Sequence, residues 1–224
     1  SELHIFRQNM KQKLEVNLKK CDFVAGRKID EFLFGAKHPY GVYSIAEDYD
    51  ALDVEALRNF YATYYQQGHC SIFSAGILPA NYAQLMNGFF GSMPFNQSPI
   101  VAQEHPIVPA AEKKWNIIND PEGVQGAVRI ARPFPTRHHP DFPKVQVLNT
   151  LFGGFFGSRL MNNIREDKGY TYGIYSYLQN HIQQGAWMVS TEAGRDVSEA
   201  TITEVYKEME LLRNELVDED ELML

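Results

Sequence analysis

Apolar residues recur at helical spacing through much of the first half of the chain. Phe6, Met10, Leu14 and Leu18 share one face of residues 5–20, with Arg and Lys between them, which predicts an amphipathic helix. Val24, Ile29, Phe32 and Leu33 predict a second over 23–34, broken at Gly35. His38-Pro39-Tyr40-Gly41 reads as a turn, since proline keeps His38 extended and Gly41 releases the chain. Asp53 is placed to cap a helix carrying Ala56, Leu57, Phe60, Tyr61 and Tyr64, ended by Gly68. A short strand is expected over 69–75, then a turn and a helix over 80–90 with Tyr82, Leu85, Met86 and Phe89.

Between residues 95 and 111, Pro99, Pro106 and Pro109 interrupt both periodicities, so 96–112 is read as a linker between a first domain, 1–95, and a second, 113–224. The second half predicts strands over 114–119 and 124–131, and a helix over 140–152. An antiparallel hairpin over 170–180 and 185–193 follows, then a helix opened by an Asp196–Glu199 capping box. Adjacent strands favour antiparallel sheets with helices on one face, in two related subdomains: an α+β class. The chain has no initiator Met, and 217–224 starts a helix and stops inside it, so a piece of a longer protein is expected.

One stretch organises the second half. Gly153, Gly154 and Gly157 lead into Leu160, Met161 and Ile164 at helical spacing, with Phe156 at the same spacing ahead of them, and Gly169 stops the helix. The period then becomes two, so Tyr172, Ile174 and Ser176 share one face. Arg165 on the last turn and Tyr172 early in the strand can converge across the Gly169 corner and offer a guanidinium fork and a phenol to one bound group. The alternative is that Arg165 caps its helix and Tyr172 is sheet packing.

Composition narrows the chemistry. A 44% hydrophobic chain of 224 residues can bury a core, and a net charge of -7 opposes nonspecific nucleic-acid binding. No apolar run approaches the roughly 20 residues that span a bilayer. Cys21 and Cys70 form no CxxC pair and read as buried thiols, which leaves the compartment open. Neither HExxH nor HxxEH occurs, His138-His139 reads as a solvated loop, and GxSxG and a Walker lysine are absent. Phe155 and Phe156 beside the glycines argue for close packing rather than an anion site.

Leu148-Asn149-Thr150-Leu151-Phe152-Gly153-Gly154, Ser158-Arg159-Leu160 and Arg165-Glu166-Asp167-Lys168-Gly169-Tyr170-Thr171-Tyr172 together closely resemble the second domain of the insulinase-like zinc metallopeptidases, the family of pitrilysin and the mitochondrial processing peptidase. Upstream, Phe34-Gly35, His38-Pro39-Tyr40-Gly41, Phe60-Tyr61 and Phe90-Gly91 resemble the end of that family's first domain. The resemblance implies two α+β domains facing across a chamber. One holds zinc on HxxEH plus a later glutamate; the other supplies an arginine and, seven residues on, a tyrosine that hold the peptide substrate. Arg165 and Tyr172 match that pair, and Glu15 falls roughly where the third zinc ligand would, although it also reads as an exposed residue of an amphipathic helix.

The resemblance further implies a zinc metalloendopeptidase only as an intact protein or with an HxxEH-bearing domain or subunit. This chain alone would be inactive and without zinc, and the substrate would lie extended along a sheet edge. A noncatalytic structural subunit and a peptide-capturing module of the same fold are the competing readings.

Overall fold

In a computed structural model, residues 2–96 and 103–223 are described. They form helices α1 (Glu2–Leu18), α2 (Cys21–Phe34), α3 (Ala46–Ala51), α4 (Val54–Tyr61) and α5 (Tyr82–Phe90), strand β1 (Gln125–Phe134), helix α6 (Phe142–Asn149), strands β2 (Thr171–Asn180) and β3 (Gly185–Gly194), and helices α7 (Ser198–Asn214) and α8 (Glu219–Leu222). Wide π turns extend α4 over Ala62–Gln66 and α6 over Thr150–Gly154, and a third covers Met161–Asp167. The class is α+β, around a three-stranded antiparallel sheet of order β1-β3-β2.

The chain divides into two compact units: 1–13 with 44–104, and 14–43 with 105–224. The change of unit between 104 and 105 falls inside the linker expected at 96–112, but residues 14–43, expected in the first domain, group with the second unit. Residues 97–102 lie outside the described residues; of the expected linker beyond them, 103–104 belong to the first unit and 105–112 to the second. The Val108 and Ala110 N–H groups donate to Phe34 O and Phe32 O at the end of α2, and Ile107 packs with Leu33 and Phe34. Prolines removed the periodicity there without removing the packing.

In the first unit, Asp53 caps α4 as expected, its Oδ1 accepting from the Ala56 N–H at 2.8 Å, and Lys11 pairs with Asp50 at 2.7 Å. Asp53→Ala should destabilise this unit by about 1 kcal/mol, read from its thermal melt. The strand expected over 69–75 is not formed; the segment is irregular.

In the second unit the sheet is covered on both faces, where one was expected. Val189, Ile174 and Ile130 pack with Phe152, Leu160, Met161, Ile164 and, from α7, Val205. On the opposite face Ala186, Met188 and Ala131 meet Ile29, Leu33 and Phe34 of α2. An amphipathic stripe reports that a helix has a buried side; it does not report which later strand that side meets. Arg129 of β1 is nearly buried and pairs with Asp22 of α2 while its Nη1 donates to the carbonyls of Val128 and Thr191. The strand expected over 114–119 is absent, and Trp115 instead stacks on Phe32 at 4.0 Å. The expected Asp196 cap is also not made: the cap position of α7 is Val197, and the Ser198 hydroxyl donates to Gly194 O at 2.8 Å.

Candidate functional site

From Leu160 onward the glycine-to-strand stretch folds as its pattern predicts up to one residue. Leu160, Met161 and Ile164 are fully buried and fix the inner side of the Met161–Asp167 π turn against the sheet. Its outer side is tied to α7: Asn163 Nδ2 donates to Glu208 at 2.6 Å and to Glu204 at 3.3 Å. The Lys207 ammonium bonded to Glu204 holds that carboxyl below its ordinary range, with Asn163 and Lys168 adding to the effect. At the end of the turn the Lys168 N–H reaches back five residues to Asn163 O at 3.1 Å, the widened register of a π turn. Gly169 then takes φ of 65°, a left-handed conformation that favours glycine at a helix end. The chain reverses there and enters β2.

The exception is Tyr172. Strict alternation places it on the face of Ile174, which is fully buried. Thr171 lies opposite Ala193 and Ile174 opposite Thr191, so three steps on β2 match two on β3. The extra residue is a β-bulge at Tyr172-Gly173, and it turns the phenol out of the core. Tyr172 is 93% exposed and forms one wall of an open cleft of about 620 Å³ that Asp22, Gln125, Tyr175 and Glu192 also line. Burial and then the Glu192 carboxylate push the thiol of Cys21, next in sequence to Asp22, above its ordinary pKa.

Arg165 and Tyr172 therefore meet at the corner. The Arg165 Nε–H donates to Tyr172 O at 2.9 Å, Nη1 pairs with Glu166, and the guanidinium carbon lies 5.8 Å from the Tyr172 ring centre. Among the described residues no hydrogen bond uses Nη2. The corner thus presents the two N–H donors of Nη2 and an exposed phenol. The carbonyl that Arg165 bonds belongs to β2 and not to its own helical turn.

Two features of the corner were not read from the sequence. Phe156 does not pack in the core with Leu160; it is 60% exposed, and its ring centre lies 4.5 Å from the Arg165 guanidinium carbon. Glu166 supplies the counter-charge. An aromatic residue between glycines was the available signal for the first, since such a loop has no periodicity to assign its side chains to the core.

Glu15 is exposed on α1, and among the described residues no group of three His, Cys, Asp or Glu side chains lies together as a metal would require. The donor set present does not fit zinc. His38 is buried against Phe34, with Nδ1 accepting from the Tyr40 N–H at 3.1 Å, and burial lowers its pKa. Among the described residues no helix is long and apolar enough to cross a membrane.

Comparison with known proteins accords with this architecture. The probable inactive metalloprotease YmfF of Bacillus subtilis (strain 168) is 23% identical over 181 residues, 79% of this chain and 41% of that protein. The structure is similar to the peptidase M16 inactive domain from Pseudomonas fluorescens, with TM-score 0.74 at 24% identity over 98% of this chain and 53% of that one. It is also similar to a protease from Helicobacter pylori, with TM-score 0.77 at 13% identity over 98% and 55%. For the periplasmic protease PqqL from Escherichia coli the TM-score is 0.67 at 16% identity, over 98% and 24%. The structural likenesses speak to the fold alone, and the chain spans between a quarter and about half the length of these proteins. A family model described as the peptidase M16 inactive domain matches residues 51–223, most of the chain, and the chain belongs to that family.

Proposed function

We propose that this chain is the peptide-holding, non-zinc part of an M16-type metallopeptidase, which receives an extended peptide at the Arg165–Tyr172 corner while an HxxEH-bearing domain, on the same chain or a partner, carries out the cleavage. The observation that supports it is the pairing of unused Arg165 Nη2 donors with a phenol that a bulge has turned out of the core. A guanidinium suits a peptide carbonyl because its donors are fixed in a plane and stay charged at any working pH.

Strand addition is a weaker part of this reading along the middle of β2. The Ile174 N–H already contacts Met161 Sδ at 3.4 Å, and Ser176 O accepts from Asn149 Nδ2 at 3.1 Å. The corner is accordingly assigned to side-chain recognition, with any paired strand supplied elsewhere.

The test is binding of a fluorescein-labelled unstructured peptide to the full-length protein, followed by anisotropy. Loss of a charge-assisted hydrogen bond predicts that Arg165→Ala weakens binding about tenfold or more. Arg165→Lys, which keeps the charge and loses the fork, should recover only part of it. Unchanged affinity in Arg165→Ala would overturn the reading and favour a structural subunit.

A further inference from the structure

The loop ahead of Arg165 is held at both ends. Gly153 lies so close to β2 that a Cβ there would stand 2.7 Å from Ser176 N, and Asn149 binds the same residue from the end of α6. At the other end Ser158 is buried and Asn162 Nδ2 donates to Gly157 O at 3.1 Å. Phe156 projects between these ties. An exposed phenylalanine on an anchored loop gains little from the core, and its ring is free to serve the corner beside it.

What it touches is the Arg165 guanidinium, at 4.5 Å, inside the range of about 6 Å over which a cation is attracted to an aromatic face. Arg165 is otherwise held by one backbone carbonyl and by Glu166, itself on the surface, with the Tyr172 ring farther off at 5.8 Å. These contacts engage Nε and Nη1 and leave the plane of the fork to be set by stacking.

We infer that Phe156 is a positioning residue for Arg165: its ring, carried on the anchored glycine loop, holds the guanidinium at the corner so that Nη2 faces a bound peptide. This rests on the Arg165 reading above and adds to it a residue outside the arginine–tyrosine pair.

The test uses the full-length protein and the same fluorescein-labelled unstructured peptide. Phe156→Ala should weaken binding about two- to fivefold, the equivalent of one exposed cation–π contact. Phe156→Tyr, which keeps the aromatic face, should bind as the unaltered protein does. In a double-mutant cycle, Phe156→Ala should add nothing once Arg165 is replaced by alanine. The Arg165 Nε–H NMR signal should also move in Phe156→Ala and stay in place in Phe156→Tyr, a response that a general loosening of the loop would not reproduce. If Arg165→Ala binds normally, the functional reading falls and this inference with it. If Arg165→Ala is impaired while Phe156→Ala is not, or if the two losses add, only the role of Phe156 is overturned.

Discussion

Ile164→Ala lowers the stability of the sheet-containing unit by about 2–5 kcal/mol, the range for emptying a buried aliphatic site. Ile164 is fully buried among Phe152, Leu160, Met161, Ile174, Val189 and Val205, which arrive from the π turns, two strands and α7 and cannot all close on the gap. For a domain of this size the loss corresponds to a fall of roughly 5–15 °C in melting temperature. The adjoining residue is Arg165, so the same cavity loosens the turn that carries it. A loss below about 0.5 kcal/mol in a denaturant titration, the level of an ordinary surface substitution, would contradict this account of the core.

On the proposed function, with the Tyr172 hydroxyl donating to the peptide carbonyl oxygen as negative charge develops there, Tyr172→Phe in the assembly with its HxxEH-bearing part should lower kcat by about 10²–10³, the usual loss when one preorganised donor to a developing oxyanion is removed. The change deletes only the hydroxyl. The ring beside Arg165 remains, and the Arg165 bond to residue 172 is to its backbone carbonyl, so neither contact is disturbed. A side chain 93% exposed contributes little to folding, and stability should be unchanged. KM should move far less than kcat, because the proposed donation strengthens only as charge appears on the peptide oxygen. Turnover equal to the unaltered enzyme would remove the phenol from the chemistry and leave Arg165 to act by binding alone.

The α+β class and the loop, helix, glycine stop and strand of the corner were legible in the sequence because each depends on neighbours in the chain. Apolar spacing over Leu160, Met161 and Ile164, a left-handed glycine at 169 and alternation along β2 are local signals. The exposure of Tyr172 was legible only as one of two alternatives: alternation put it on the face of Ile174, and its outward turn comes from a bulge defined by β3, a partner that alternation within β2 does not reveal. Placement of α2 on the second face was hidden for the same reason, since Leu33 and Phe34 meet Met188 across more than 150 positions. Segments 69–75 and 114–119 carry strand-forming residues without strand neighbours among the described residues, and residue preference does not supply a ladder.

Cutting the chain at the proline-rich stretch, to express residues 113–224 by themselves, would strip away α2. Met188, Ala186 and Ala131 would face water, and the nearly buried Arg129 would lose Asp22. Such a fragment would tend to self-associate through the bared layer, and including residues from Leu14 onward is the remedy the packing indicates.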